Sequence, residues 1–557
     1  HAPGGLECTI FNMDIRTFGK DYEKYYLRAR DKAGVRFVKA RIHSFDEINK
    51  QDDLRVRYAD ETGELREEVF DLIVLSVGLQ VPPSSRELAG RLGIGLDGYG
   101  FVVKPTFSPL ETSRPGVYAC GVFQGPKDIP SSVIEASAAA CLAGGNLAAA
   151  RHTRTRQVDL PEQIDVSAEE PRIGVFVCNC GINIAGVVDV AAAEEFAGRL
   201  PHVVYTTQNL FSCSQDSLVR MKEVIREHRL NRVVVAACTP KTHEGIFMDT
   251  LEGSGLNKYL LEMANIRNQD SWVHSDDPLE ATAKARQLIR MAVSRAETLR
   301  PLGEKVISVN QRAVVVGGGV GGMNAALGLA DQGYEVVLIE KEEQLGGMAN
   351  RLTFTIEGDD VQAYLQDLIR RVTSHPLIQV LTRSLIVGFT GFKGNFATEV
   401  LVGPGLYERK IKHGVTIIAT GAVEYRPQEY HFGESEQVVT QVDLAKRLKE
   451  RGAADLNRVA MIQCIGSRNE ENPNCSRICC QSAVKNALKI KKLNPEADVY
   501  ILYRDMRTYG LLEDYYKEAR EKGVFFFRFD PENPPQAELS AHGLLLTFRD
   551  LILGREL

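Results

Sequence analysis

The chain is predicted to be an α/β protein assembled on parallel sheets, and three stretches carry that prediction. RAVVVGGGVGGMNAALGLADQGYEVVLIEK (312–341) reads as a complete strand–helix–strand unit. RIGVFVCNCG (172–181), HVVYTTQNLFSC (202–213) and RVVVAACTP (232–240) are apolar runs that each pass into a loop, with the helically spaced DSLVRMKEVIREH (216–228) between the last two. VFDLIVLSVGL (69–79) and GVYACGVF (116–123) are further apolar runs of the kind buried on both faces of a parallel sheet. Strands that alternate with helices pair in parallel, because the crossover helix returns the chain to the same end of the sheet.

A chain of 557 residues is expected to hold roughly three or four domains. Its 44% hydrophobic and 25% charged residues suit ordinary globular cores. A net charge of −6 points to neither nucleic acid nor an anionic membrane as partner. No signal peptide and no membrane span is evident, so a cytoplasmic location is expected. The longest small-residue apolar stretch, SSVIEASAAACLAGGNLAAA (131–150), is interrupted by Glu135 and Asn146 and reads as a closely packed helix started by Pro130 and two serines.

Domain boundaries follow from composition. Residues 1–150 alternate strands and helices, 151–170 are polar without apolar period and read as a linker, 171–300 form a small α/β domain, and a third unit occupies 301–557. DIRTFGKDYEKYYLRARDKAGVRFVKARI, starting at Asp14, parallels DMRTYGLLEDYYKEAREKGVFFFRFDP, starting at Asp505, in its Asp, Arg, Thr, Gly, Tyr-rich helix and Gly-Val turn. Such self-similarity implies two copies of one module. The chain is expected to open within the first copy and to close within the second, as a fragment of a tandem protein.

Gly317, Gly319 and Gly322 fit G-x-G-x-x-G between a strand and a helix. The first glycine permits the tight turn, the second lets backbone approach a pyrophosphate, and the third lets helix and strand pack closely. Glu340 ends the next strand 21 residues after Gly319, where an acid accepts hydrogen bonds from a ribose hydroxyl. KEEQLGGMANRL (341–352) and VTIIATGA (415–422) resemble two-dinucleotide flavoproteins of the thioredoxin-reductase type, in which GG with a following basic residue lines the flavin and A-T-G closes its domain. That resemblance implies FAD, with Lys341, Gly346, Gly347, Thr420 and Gly421 beside it. The second dinucleotide fold should begin at RVAMIQCIGS (458–467), yet Cys464 stands where a nicotinamide fold offers its first glycine. This argues against NAD(P)H as the direct donor there.

CIGSRNEENPNCSRICC (464–480) sets Cys464, Cys475, Cys479 and Cys480 in the pattern C-x10-C-x3-C-C. Nothing indicates export, so disulfides are not expected. Three readings remain from the residues: a redox-active Cys479–Cys480 pair of an NAD(P)H-dependent flavin disulfide reductase, a non-catalytic scaffold with structural zinc, and an iron–sulfur cluster. The pattern is not a ferredoxin spacing, and it holds a single C-x3-C in place of the paired C-x2–4-C knuckles usual for structural zinc. Cys178, Cys180, Cys213 and Cys238 each follow an expected strand, so a parallel sheet gathers them at its carboxyl edge, where sites form. Cys8, Cys120 and Cys141 read as packed core thiols, and Trp272 as a core residue.

Taken with the FAD unit, the A-T-G strand and the DMRTYG element, CIGSRNEENPNCSRICC resembles the non-ferredoxin cluster motif of the heterodisulfide reductase A family. GPKDIPSSV resembles the end of that family's flavin domain, and VCNCGINIAG its amino-terminal domain. The resemblance implies a thioredoxin-reductase-like flavoprotein fold plus a small α/β cluster-binding domain. It further implies one [4Fe–4S] cluster at Cys464, Cys475, Cys479 and Cys480, and a second at Cys178, Cys180, Cys213 and Cys238. The implied activity is electron transfer within a larger, electron-bifurcating reductase complex. Implied partners are other redox subunits, ferredoxin, and hydrogenase or formate dehydrogenase subunits; a homo-oligomer is also expected. The sequence singles out no catalytic residue. Two departures stand out: HPLIQVLTRSLIVGFTGFKGNFATEV runs without the inserted ferredoxin segment common in the family, and Val122 follows Gly121 where the superfamily commonly places Asp.

Overall fold

The structure, a computed structural model, describes residues 6–17, 21–48, 53–156, 159–540 and 543–557. Residues 18–20, which fall inside the first copy of the repeat, lie outside the described residues. The chain divides into two compact units, one formed by His152–Ile307 and the other by His1–Arg151 together with Ser308–Leu557.

In the His152–Ile307 unit, four parallel strands are ordered Val203–Asn209, Ile173–Cys178, Arg232–Ala237, Leu261–Asn265. The two central strands, IGVFVC and RVVVAA, are buried at every position, as near-continuous apolar strands of a parallel sheet must be. Helices Val190–Ala197, Gln215–Glu227, Pro240–Glu252 and Pro278–Thr298 contribute Ala193, Met221, Phe247 and Ile289 to one core with the sheet. Asp189, Ser214 and Asp277 cap three of these helices by accepting a first-turn N–H. Sequence reasoning missed the fourth strand, Leu261–Asn265, whose LEMAN mixes polar and apolar residues without a readable period. Part of the stretch read as a linker is tied to this unit: Ile164 N donates to Gly255 O, and Val166 is buried.

The other unit holds the dinucleotide-type sheet. Four parallel strands are ordered Ile378–Leu381, Val336–Ile339, Ala313–Val316, Val415–Ile418, with helix Val320–Ala330 crossing over after Ala313–Val316. An antiparallel sheet of Ser384–Phe392, Asn395–Val402 and Tyr407–His413 interrupts the sequence before the last strand. A second parallel sheet, Arg458–Ile462, Asp498–Tyr503 and Val524–Arg528, follows with helix Cys479–Leu493 between its first two strands. The first repeat shows the same local pairing: Thr9–Asn12 runs parallel to Arg36–Lys39, as Asp498–Tyr503 does to Val524–Arg528.

Within this unit the early residues pack on the late ones. Helix Ile129–Asn146 lies against Val320–Ala330, where Gln332 Nε2 donates to Cys141 Sγ at 3.3 Å and a side chain on Gly328 would meet that sulfur at 3.1 Å. Phe107 stacks on Tyr364 with ring centroids 4.2 Å apart.

Two expected strands are not strands. Val69 and Phe70 end the antiparallel strand Leu65–Phe70, and residues 71–82 then run unpaired, leaving Leu72, Val74 and Val77 75%, 77% and 84% exposed. An apolar run becomes a buried parallel strand only where neighbouring strands accept its backbone groups, and the dinucleotide sheet takes all four of its strands from 313–418. GVYACGVF makes a single bridge, Tyr118 to Glu111, and then turns into a 3₁₀ segment at Gly121–Gln124. The helix that follows is capped by Asp128, which accepts from Ser131 N, with Pro130 in its first turn. It has no buried residue and packs by small side chains. Among the described residues no helix is long and apolar enough to cross a membrane.

Candidate functional site

The glycine loop of 317–322 is shaped by close backbone contacts. Gly317 adopts φ +106°, and a Cβ there would lie 2.4 Å from Ala419 O, so the A-T-G turn at Thr420 and Gly421 presses directly on it. A Cβ on Gly322 would lie 1.8 Å from Gly317 O. Around Gly319, by contrast, no protein atom comes within 4 Å of a built Cβ. That open face is the cradle a pyrophosphate needs, at the start of helix Val320–Ala330. Gly346 bridges to Gly319 and donates its N–H to Gly318 O at 2.8 Å, while a Cβ on Gly347 would stand 3.4 Å from Gly319 Cα. Glu340 is buried; it accepts from Gly318 N at 2.6 Å and from Glu342 N at 2.8 Å. These residues fit a dinucleotide. Lys341 is not drawn in: its side chain is exposed and faces Glu342 at 3.7 Å.

The cysteine loop of 464–480 opens at the end of strand Arg458–Ile462 and closes at the start of helix Cys479–Leu493. Cys464, Arg468 and Arg477 all adopt left-handed backbone, with φ of 67°, 58° and 68°. Three such non-glycine residues in one loop amount to stored strain, which concentrates at functional sites. Cys480 is buried and the other three thiols are half-buried. Burial pushes the Cys464 thiol up to about 11, with Cys479 adding to the rise and Arg468 and Arg504 opposing it. A hydrogen bond from Cys480 draws Cys479 down to about 6, while Cys480 is raised, so Cys479 ionises first. Its place in the first turn of a helix favours the same thiolate. Arg477 N donates to Cys475 Sγ at 3.4 Å.

Around these thiols stand Arg468, Arg504 and Arg507, which sequence reasoning missed. Arg468 Nη1, Arg504 Nε, and Arg507 Nε and Nη2 are buried donors without a hydrogen-bond partner. Buried guanidinium groups seldom go unsatisfied. Sulfur acceptors of a thiolate-ligated cluster supply partners of the required kind, so the donor set and its surroundings fit an iron–sulfur group. Among the described residues, no three or more His, Cys, Asp or Glu side chains close on a single metal-ion position.

In the His152–Ile307 unit, Cys178 ends its strand, Cys180 follows in left-handed backbone at φ 44°, and Cys213 and Cys238 follow the strands on either side. All four therefore lie at the carboxyl edge of one parallel sheet. Ser212 N donates to Cys178 Sγ at 3.4 Å, and Arg267 Nη1 reaches Cys180 Sγ at 3.9 Å. Burial raises Cys178 and Cys238, and for Cys238 the Arg267 charge opposes the rise. Four thiols of mixed exposure at one sheet edge, with Arg267 beside Cys180 and Cys238, suit a soft-metal or cluster site. Trp272 corrects expectation: it is exposed, with Arg267 4.9 Å over its ring. Cys8 and Cys120, expected in the core, are exposed as well, and Cys8 precedes the strand Thr9–Asn12.

Residues 311–462 match the pyridine nucleotide-disulphide oxidoreductase family. The chain is 34% identical to the A-type subunit of the H(2):CoB-CoM heterodisulfide,ferredoxin reductase of Methanothermobacter thermautotrophicus, over 71% of this chain and 74% of that protein. It is 34% identical to an A-type iron-sulfur subunit of the CoB–CoM heterodisulfide reductase of Methanopyrus kandleri, over 70% and 73%. The corresponding A-type protein of Methanocaldococcus jannaschii is also 34% identical, over 69% and 72%. A solved T. acidophilum thioredoxin reductase is 13% identical, with a TM-score of 0.31 over 44% of this chain and 73% of that one, too loose a likeness to carry an argument.

Proposed function

The chain belongs to the heterodisulfide reductase A family, and from that premise we propose that it relays electrons between FAD at the Gly317–Gly322 loop and iron–sulfur clusters held by its two cysteine groups. It is a flavin-dependent oxidoreductase. The observation that carries the relay is the loop of 464–480. It stands where a second dinucleotide fold places its nucleotide-binding turn, and it offers four thiols ringed by unpartnered buried guanidinium donors. When bound, the flavin exchanges electrons in pairs and the clusters exchange them singly.

The residues divide the work of binding. Gly319 leaves backbone open to the pyrophosphate, and Glu340 is set to accept from a ribose hydroxyl. Cys464, Cys475, Cys479 and Cys480 would ligate one cluster, and Cys178, Cys180, Cys213 and Cys238 the other. Arg468, Arg504, Arg507 and Arg267 would offset the negative charge that thiolates bring. The relatives' names refer to ferredoxin and to numbered or lettered components, which supports work inside a multisubunit complex with a ferredoxin-type partner. A bifurcating role and a homo-oligomeric core belong to the same proposal.

A second reading has one observation in its favour: Cys479 opens the helix Cys479–Leu493 directly beside the buried Cys480, a first-turn placement that suits a redox-active dithiol. Oxygen-free purification with iron, sulfide, zinc and flavin quantified, then electron paramagnetic resonance after reduction, separates the readings. The relay requires flavin, iron with matching sulfide, and paramagnetic signals. A yellow protein without iron that consumes NAD(P)H through Cys479 and Cys480 favours the dithiol, and zinc in place of iron favours a scaffold.

A further inference from the structure

We propose that Glu23, contributed by the first repeat, is a positioning residue for the four-cysteine loop of the second, bridging Arg468 and Arg507 and so holding two guanidinium groups against its thiols. Glu23 Oε1 lies 2.8 Å from Arg468 Nε, and Oε2 lies 2.6 Å from Arg507 Nη1. The three side chains are 3%, 4% and 1% exposed, so this is a buried triad. Asp505 completes it, 2.8 Å from Arg468 and 3.8 Å from Arg507.

Both arginines bear on the cysteines. Arg468 belongs to the loop, in its left-handed conformation, and Arg504 donates to its carbonyl at 2.7 Å. Arg468 follows Cys464 by four residues within the loop, and Arg507 follows by two residues Asp505, whose carbonyl accepts from Cys480 Sγ at 3.8 Å. A strained loop without a ladder of its own needs an anchor, and Arg468 is that anchor. Removing one partner of a buried ion pair strands the other charge, so the anchor holds only while its carboxylates are present. Asp505 belongs to the second repeat itself; Glu23 comes from the helix Tyr22–Leu27 of the first. Arg468 and Arg507 pair with the two carboxylates, Glu23 and Asp505, and Arg504, held on the Arg468 carbonyl, adds a third guanidinium, which leaves an excess of positive charge at the loop. The redox half of this proposal rests on the cluster reading; the anchoring half does not.

Glu23→Gln in the full chain keeps the shape and removes the charge. Hydrogen exchange of amides 464–478 should accelerate at least tenfold. The cluster should become easier to reduce, because a reduced cluster gains from the uncompensated positive charge. A tenfold rise in the reduced-to-oxidised ratio at fixed potential corresponds to about 59 mV for one electron. Arg507→Gln should shift the ratio the opposite way, and the double variant should return it to within about threefold of the parent, a sign pattern that loss of structure alone does not produce. If Glu23→Gln yields no soluble protein, the charge-balanced double variant decides: an unprotected loop supports the anchor, and parental protection overturns it. Unchanged exchange and unchanged reduction in Glu23→Gln overturn the proposal. Protein without iron counts against the cluster reading alone, and the exchange comparison then decides.

Discussion

Arg16 of the first repeat forks onto Glu513 of the second, with Nε 3.1 Å from Oε2 and Nη2 2.8 Å from Oε1. Its counterpart in the second copy, Arg507, reaches back to Glu23 in the first. Each copy's Arg–Thr element thus lends an arginine to the other's Tyr-rich helix. This exchange is what a two-fold interface makes between identical protomers, here between the repeats of one chain.

The two halves of the exchange should differ in strength. The Arg16 and Glu513 side chains are 28% and 47% exposed, so a double-mutant cycle with alanine at both should give a coupling of about 0.5–1 kcal/mol, weakening in high salt. A coupling above about 2 kcal/mol, or one indifferent to salt, would contradict the exposed geometry.

Gly319 and Gly322 should respond differently to alanine. Gly322→Ala drives a methyl into Gly317 O and should lower the unfolding free energy by about 2 kcal/mol or more, as at other overpacked sites. Gly319→Ala meets no protein atom, so stability should hold within about 0.5 kcal/mol while flavin retention falls. Calorimetry beside flavin absorbance reads both. Full flavin retention by Gly319→Ala would remove this loop as the pyrophosphate site.

Asp270 should make the His152–Ile307 unit more stable in acid. It is buried, neither carboxylate oxygen has a hydrogen-bond partner, and burial raises its carboxyl from 3.8 to about 6. The charges of His274 and Lys284 oppose that rise and Glu280 adds to it. A raised folded-state value stabilises below the unfolded one, and the gain is lost as pH climbs through about 6. Asp270→Asn should therefore flatten the stability profile between about 4 and 6 and add about 1–3 kcal/mol at pH 7.5. Trp272, the chain's 1 tryptophan, lies in this unit and reports its unfolding by fluorescence. An unaltered pH profile would refute the assignment.

Val74→Asp and Val77→Asp should each cost less than about 0.5 kcal/mol, because both side chains are exposed. A buried strand would lose several times that amount, as a buried unpaired carboxylate does. Urea unfolding of the two variants distinguishes the cases.

Much of this was readable from residues alone. G-x-G-x-x-G, with its strand before and helix after, announces the Gly317–Gly322 loop because each glycine answers a local backbone demand. IGVFVC and RVVVAA announce central strands by being apolar throughout. VFDLIVLSVGL has the same composition and forms no ladder, since composition reports what a segment can bury and not whether neighbours arrive. Arg507 and Glu23 carried the same faint signal, recurrence between the repeats: Arg507 matches Arg16, and Glu23 of EKYY matches Glu513 of EDYY, but neither match names a partner.

The order of residues determined by itself the glycine loop, the central strands of both four-stranded sheets and the grouping of thiols after strand ends, because those depend on neighbours within a few positions. Only the tertiary structure decided that Glu23 meets Arg468 across 445 residues and Arg507 across 484. No local pattern encodes such a contact. It arises when two copies of one module pack face to face, and burial then makes a carboxylate the one tolerable partner for charges already out of water.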